Sequence, residues 1–327
     1  MSALLEHLLA APLEVGEGAV GGDGVGLLEG FWARHVERAA RFEAPIDRAI
    51  AGGFGADRLG FAFAAGYHAA LEALLPGRMG QGLCALSATE EGGAHPRAIR
   101  TTLAPDAAGQ LRLTGRKRWS TLAPGAEALL VVASVGVDAA GRNRLRVVRV
   151  GVREAGVRLT VMPPTPFAPE IPHAEVELEG VAVAEGSVLE GDGYEVYLKP
   201  FRTLEDTHVH GALLGYLLGV GRRYGWPVGL MEGLASAVLA ARGVAAEPAA
   251  AAATHVALAG LLGGTERLIR EAEPCWGGVG EGERGRWERD RPLLGVAGKA
   301  RAARREAAWG RLRGEGGGGG GREGLVG

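Results

Sequence analysis

The sequence predicts an α+β chain built in three parts: N-terminal helices, a central antiparallel β-barrel and a C-terminal four-helix bundle. Three observations predict it. Apolar residues recur at helical spacing through residues 1–82, alternate with polar ones through residues 83–191, and return to helical spacing through residues 192–312. A chain of 327 residues also exceeds what one ordinary core holds. The last stretch, residues 313–327, reads "RGEGGGGGGREGLVG" and has no side chains with which to build a core, so it is expected to be disordered.

In the first part, "LLEGFWARHVERAARFEAPIDRAI" brings Leu27, Phe31, His35 and Val36 near one helix face, and "RLGFAFAAGYHAALEALL" repeats the pattern. Gly16, Gly18 and Gly21 spell GxGxxG. No strand precedes them and "GGDGVG" stands where a phosphate-binding helix would start, so a dinucleotide site is not supported.

The second part contains "QLRLTGRKRWST", "EALLVVASV", "NRLRVVRVGV", "VRLTVM" and "HAEVELEGVAV", separated by Gly, Asp, Asn and Pro. In the last, Ala174, Val176 and Leu178 alternate with Glu175, Glu177 and Glu179, which predicts one buried and one wet face.

Helical spacing then covers four segments: 200–224, 228–241, 248–273 and 292–312. Pro248 and Pro292 stand where a first helical turn accepts proline. Gly211, Gly215 and Gly219 put three bare positions on one face, allowing a second helix or a ligand to approach the backbone. The longest apolar run considered as a membrane span, residues 209–221, is too short to cross a bilayer.

Composition excludes several function classes. A formal net charge of -2 leaves no electrostatic footprint for nucleic acid or an anionic membrane. Cys84 and Cys275 belong to no CxxC pair, which supports buried thiols in a reducing cytoplasm rather than a disulfide framework or a zinc site. The N-terminus carries Glu6 within its apolar stretch and lacks a basic start, unlike a signal peptide. His208 and His210 point to different faces of one helix and make no metal pair. No GxSxG elbow and no P-loop occurs.

Two stretches go further. "LSATEEGGAH" at 86–95 is similar to a strand-to-loop flavin motif usually written TEPGAGSD, and "GRKRWSTLAPGAEALLVVAS" at 115–134 to a GxKxWITNxxxAD segment, with Gly115, Lys117, Trp119, Thr121 and Ala126 in register. With "LEGVAVAEGSVLEGDGYEV" at 178–196, which looks like the exit from a barrel into a bundle, they make the chain resemble the acyl-CoA dehydrogenase family over residues 70–310. Read locally, Trp119 would pack into a core and Ser120 and Thr121 would satisfy nearby backbone. The resemblance implies instead that Trp119 and Thr121 line FAD, the threonine hydroxyl donating towards N5, with backbone groups of Ala88 and Thr89 on the pyrimidine edge. Glu91 replaces the family's proline, and Ala94-His95-Pro96 replaces Gly-Ser-Asp. His95 is therefore expected either to donate to the flavin pyrophosphate or to be a surface loop residue.

The resemblance implies α,β-dehydrogenation of an acyl-CoA-like thioester, electrons passing to an electron-transfer flavoprotein or another acceptor, and a homodimer or homotetramer. The family's usual base is a Glu after a late GGxGY segment. Here only Glu315 and Glu323 lie near the polyglycine tail, and neither is a credible equivalent. A minority of the family places the base on the first bundle helix, where "PFRTLEDTHVHGALLGYLL" offers Glu205 and Asp206. Glu205 falls one residue beyond that minority position when Gly211 is aligned and matches the place of a family arginine, whose contact to the cofactor Arg202 would take over. On a helix Glu205 shares a face with His208, and Asp206 with His210, so carboxylate–histidine pairs are expected alongside the bland reading of an acidic first turn. Two other functions remain open: a relative of the same fold acting as a non-catalytic binding subunit, and a flavin-dependent oxygenase.

Overall fold

The structure, a computed structural model, describes residues 2–10, 12, 24–80 and 82–315. The GxGxxG stretch and the tail after Glu315, for which disorder was expected, lie outside the described residues. The chain begins with α1 (Ser2–Ala10), α2 (Gly24–Ala39), α3 (Pro45–Phe54) and α4 (Leu59–Leu74). Pro45 opens α3 at a position where its missing N–H costs nothing.

These helices pack on α5 (Lys199–Tyr224), and glycine sets how closely. A Cβ added at Gly53 would lie 1.9 Å from the Ala212 carbonyl oxygen, at Gly215 2.1 Å from that of Ile50, and at Gly66 2.6 Å from Val209 Cα. The face carrying Gly211, Gly215 and Gly219 is thus occupied by α3 and not by a ligand: its contacts are with Ile46, Ile50 and Phe54.

The sheet holds β1 (Cys84–Ser87), β2 (Thr102–Pro105), β3 (Leu111–Thr121), β4 (Ala128–Val137), β5 (Asn143–Gly151), β6 (Val157–Val161) and β7 (His173–Ala182). Its order is β1-β4-β2-β3-β7-β6, with β5 on the other edge of β4. The expected order of N-terminal helices, central β-barrel and C-terminal helices holds, and the structure adds two details to the barrel. β1 and β2 both run parallel to β4, because the β2–β3 hairpin intervenes before the chain returns alongside β1. The sheet curls into a half-barrel whose edge strands β5 and β6 do not pair with each other. The alternation read in β7 holds: Ala174, Val176 and Leu178 are buried, while Glu175 and Glu179 are exposed. β4 is buried on both faces, Leu129, Val131 and Ala133 in the core of the sheet and Leu130 and Val132 against the helices. That explains its uninterrupted apolar run.

The bundle continues with α6 (Val228–Ala245), α7 (Ala252–Ala272), α8 (Glu281–Asp290) and α9 (Gly298–Leu312). The segments predicted over 248–273 and 292–312 start later than expected. Pro248 sits in a turn ahead of α7, its carbonyl accepting Ala251 N–H at 3.0 Å, and Pro292 lies in a 3-10 turn, Arg291–Gly295, ahead of α9. α8 was not predicted, since "EGERGRWERD" has no helical apolar stripe. Tertiary contacts hold it: Trp287 stacks on Trp276 at 4.6 Å, and Glu283 pairs with Arg223 of α5. α8 is also clamped to the sheet. Glu170, in the loop between β6 and β7, takes Arg58 at 2.9 Å and Arg289 at 2.8 Å, and Asp290 accepts Ala168 N–H at 2.7 Å. Among the described residues one helix, α6, with 18 residues and a mean hydropathy of 1.4, is long and apolar enough to cross a membrane, which corrects the choice of residues 209–221 as the longest candidate. In the fold α6 packs a stripe of Leu230, Leu234, Val238, Ala241 and Val244 into the helical core.

Candidate functional site

The two segments that carry the family resemblance lie side by side. Lys117, fully buried on β3, places Nζ 2.7 Å from Glu90 Oε1 and 3.4 Å from the Ala88 carbonyl. Arg118 N–H donates to the Thr89 carbonyl at 2.8 Å, and the hydroxyls of Ser87 and Ser120 meet at 2.9 Å. The Glu90 carboxylate also accepts Arg100 N–H at 2.7 Å, Thr101 N–H at 3.0 Å and the Thr101 hydroxyl at 2.8 Å. These donors hold its pKa below the usual value despite burial, while burial drives Lys117 down to about 8 against the opposing pull of Glu90. The pair stays ionised at neutral pH and fixes the loop after β1 to β3.

Next to this clamp β3 bulges. Its register with β7 slips between Lys117 and Ser120, and Trp119 takes a positive φ of 54°. A bulge adds local twist and re-aims a side chain, and a bulky residue at positive φ is strained. Trp119 is 48% exposed, edge-on to His173 on β7 at 5.6 Å. The core reading is therefore wrong for Trp119, and Ser120, expected to satisfy nearby backbone, is instead buried with its hydroxyl on that of Ser87. Thr121 is half-buried, its hydroxyl 3.5 Å from the Trp119 carbonyl. His95, half-buried, caps the short turn Pro96–Ala98: its Nδ1 accepts Arg97 N–H at 3.2 Å, which leaves the proton of the neutral ring on Nε2.

The second half of the site is a cavity of about 220 Å³ between α4, α5 and the start of α9. Leu59 and Phe63 line it from α4, Val209, His210 and Leu213 from α5, and Leu293, Leu294, Val296 and Ala297 from the chain leading into α9. Glu205 and Asp206 are the carboxylates in its wall, with different fates. Asp206 is gripped by Arg304 and by Arg301 Nε at 2.8 Å. Glu205 has no ion-pair partner among the described residues, and burial, followed by the adjacent Asp206 charge, pushes its pKa up to about 7 against Arg301, Arg202 and Arg304. Arg202 itself is exposed on α5.

The expected carboxylate–histidine pairs do not form. Nδ1–H of His208 donates to the Leu204 carbonyl at 2.7 Å and that of His210 to the Asp206 carbonyl at 2.8 Å, one helical turn back in each case. Burial holds both rings down to about 4, so they are neutral. A residue missed in the sequence joins the halves. Tyr67 follows Leu59 and Phe63 at i+4 spacing on α4 and accepts Leu86 N–H at 3.0 Å, at the end of β1 that leads to Ala88. Burial and then the Glu205 charge hold its phenol well above the ordinary value, so it keeps its proton. Helical spacing alone could have flagged it, since Tyr67 stands two turns after Leu59.

The wall built by Leu293–Ala297 has no carboxylate. Ahead of α8 stands the run Gly277-Gly278-Val279-Gly280, a glycine-rich segment within the helical bundle and well before the polyglycine tail. No metal-binding cluster of three or more His, Cys, Asp or Glu occurs among the described residues.

No protein-family model matches the sequence, and no curated protein matches it. Solved structures do. Butyryl-CoA dehydrogenase from Megasphaera elsdenii is similar with a TM-score of 0.64 at 15% identity, over 88% of this chain and 91% of its own. TdsC from Paenibacillus sp. A11-2, in complex with FMN and indole, gives 0.68 at 16% identity over 96% of each chain. A glutaryl-CoA dehydrogenase from Mycobacterium smegmatis, in complex with FADH2, gives 0.66 at 13% identity over 96% of this chain and 93% of its own. At such identities the likeness establishes the fold, and the fold is acyl-CoA dehydrogenase-like.

Proposed function

Taking that fold as premise, we propose that the protein is an FAD-dependent oxidoreductase that dehydrogenates an acyl-CoA-like thioester between its α and β carbons. The observation that carries this reading is the apolar cavity in which Glu205 is the one carboxylate without a cationic partner among the described residues, set on the helix that faces Tyr67 and the end of β1.

The residues present fit a flavin. Trp119 is turned outward by a bulge next to the Ala88–Thr89 loop, and such strain at an exposed aromatic residue is a mark of a functional site. Ala88, Thr89, Trp119 and Thr121 would hold the ring system, with His95 Nε2–H available for the pyrophosphate and Arg202 for a further cationic contact. When bound, a flavin supplies the acceptor for the β-hydride. The chain supplies the rest. Leu59, Phe63, Val209 and Leu213 bury an acyl chain and exclude water. Glu205, poised near 7, takes the α-proton onto its carboxylate. Asp206, in the grip of two arginines, keeps Glu205 from ionising too readily. The reading includes a separate electron acceptor, such as an electron-transfer flavoprotein, and a homodimer or homotetramer.

The test is spectral. Purified protein titrated with FAD should perturb the flavin spectrum, and the loaded protein should bleach anaerobically with an acyl-CoA. Glu205→Gln should bind FAD normally yet bleach about 100- to 10,000-fold more slowly, whereas Asp206→Asn should retain most of the rate. Protein that leaves the FAD spectrum unchanged overturns the reading. A second reading, a binding subunit without turnover, is favoured by the carboxylate-free wall Leu293–Ala297; it leads if FAD binds and no acyl-CoA from short to long chain bleaches it.

A further inference from the structure

Behind the Glu205 cavity a second chamber of about 450 Å³ opens between α5, α7 and α9. The two share His210, Leu213, Leu294 and Arg301 in their walls, and nothing in the reaction proposed above uses the second. Its floor is apolar, made by Leu213, Leu258, Leu262, Ile269 and Leu294. Its rim is cationic. Arg270 comes from α7 and Arg301, Arg304 and Arg305 from α9, against one lining carboxylate, Glu266.

The arginines divide into two kinds. Arg301 and Arg304 are committed to Asp206. Arg270 and Arg305 form no ion pair with any described residue, so the rim carries uncompensated positive charge. Guanidinium groups recognise carboxylate and phosphate through paired N–H donors, and a concave apolar surface with a few placed polar groups is the usual form of a small-molecule site, which occupies about 300–1,000 Å³. No phenylalanine, tyrosine or tryptophan lines the chamber to stack a nucleobase. We propose that this chamber binds a medium-chain aliphatic carboxylate, its headgroup on Arg270 and Arg305 and its chain over Leu258, Leu262 and Ile269.

Calorimetric titration of the full chain tests this with decanoate, decanol and inorganic phosphate as probes. Arg270, Arg305 and Leu262 line this chamber and not the Glu205 cavity, so variants at these positions isolate it, and failure here leaves the dehydrogenase reading untouched. Decanoate should bind the wild type saturably and about ten-fold or more weakly in Arg270→Ala/Arg305→Ala. Decanol should bind more weakly than decanoate, phosphate should not displace it, and Leu262→Trp should block the chamber by filling it. Both arginines are exposed, so the double variant keeps the test valid even if Leu262→Trp fails to fold. Unchanged decanoate affinity in the double variant overturns the proposal, as does decanol binding as tightly as decanoate, or phosphate competing for the site.

Discussion

Lys117→Met tests whether the clamp between the two resemblance segments organises the site. Lys117 is fully buried and its ammonium meets a Glu90 carboxylate that is itself 8% exposed. Removing one partner of a buried pair costs about 3–5 kcal/mol, because the other charge is left without compensation. Glu90 would still keep three donors, Arg100 N–H, Thr101 N–H and the Thr101 hydroxyl, which places the expected loss at the low end, about 3 kcal/mol. Urea unfolding followed by both far-UV circular dichroism and tryptophan fluorescence measures it. Adding Glu90→Gln should recover at least half, since no unpaired charge then remains. FAD affinity should fall in the single variant, because the clamp stands directly before the Trp119 bulge. A loss below about 1 kcal/mol, or a double variant no more stable than the single, would refute the argument that this pair is held by mutual burial.

Local pattern made much of the fold legible. The Ala174–Leu178 alternation gave β7 its buried face, and the Gly211–Gly219 spacing gave α5 its close helix contact. What escaped depended on partners distant in the chain. Glu90 and Lys117 are 27 residues apart, and Asp206 and Arg301 95 apart, so neither pairing is visible in a window of sequence. The expected Glu205–His208 pair failed for a local reason: a buried histidine on a helix finds the carbonyl four residues back more easily than a carboxylate on its own face. α8 escaped because it is held by Trp276, Arg223 and Glu170 and by no apolar stripe of its own. Strand periodicity carries no information on whether edge strands meet, so the open edges at β5 and β6 were not legible.

Three further expectations follow from the geometry. Trp119→Ala should change stability by no more than about 0.5 kcal/mol, since the ring is half-exposed, yet weaken FAD binding; a large loss of stability with unchanged FAD affinity would return Trp119 to a packing role. Gly215→Ala, whose Cβ would meet the Ile50 carbonyl at 2.1 Å, should destabilise by about 1–3 kcal/mol in thermal or urea unfolding, and a neutral result would mean that α3 and α5 do not approach as closely as described. The last concerns pH. Burial and Asp206 raise Glu205 from 4.5 to about 7, so the folded state holds this proton more tightly than the unfolded chain. Its contribution to stability is complete below pH 4.5 and is lost as pH rises through 7. The base works only when ionised, so acyl-CoA bleaching should follow the opposite course, slow at pH 5 to 6, about ten-fold faster per pH unit while the carboxyl is protonated, and level above 7. One titration thus appears with opposite sign in two measurements. Glu205→Gln should remove both, flattening the stability curve between pH 4.5 and 7 and abolishing the rise in rate. A stability curve unchanged by Glu205→Gln, or a wild-type rate that is flat through pH 7, would show that this carboxyl is not the group whose proton is held at the cavity.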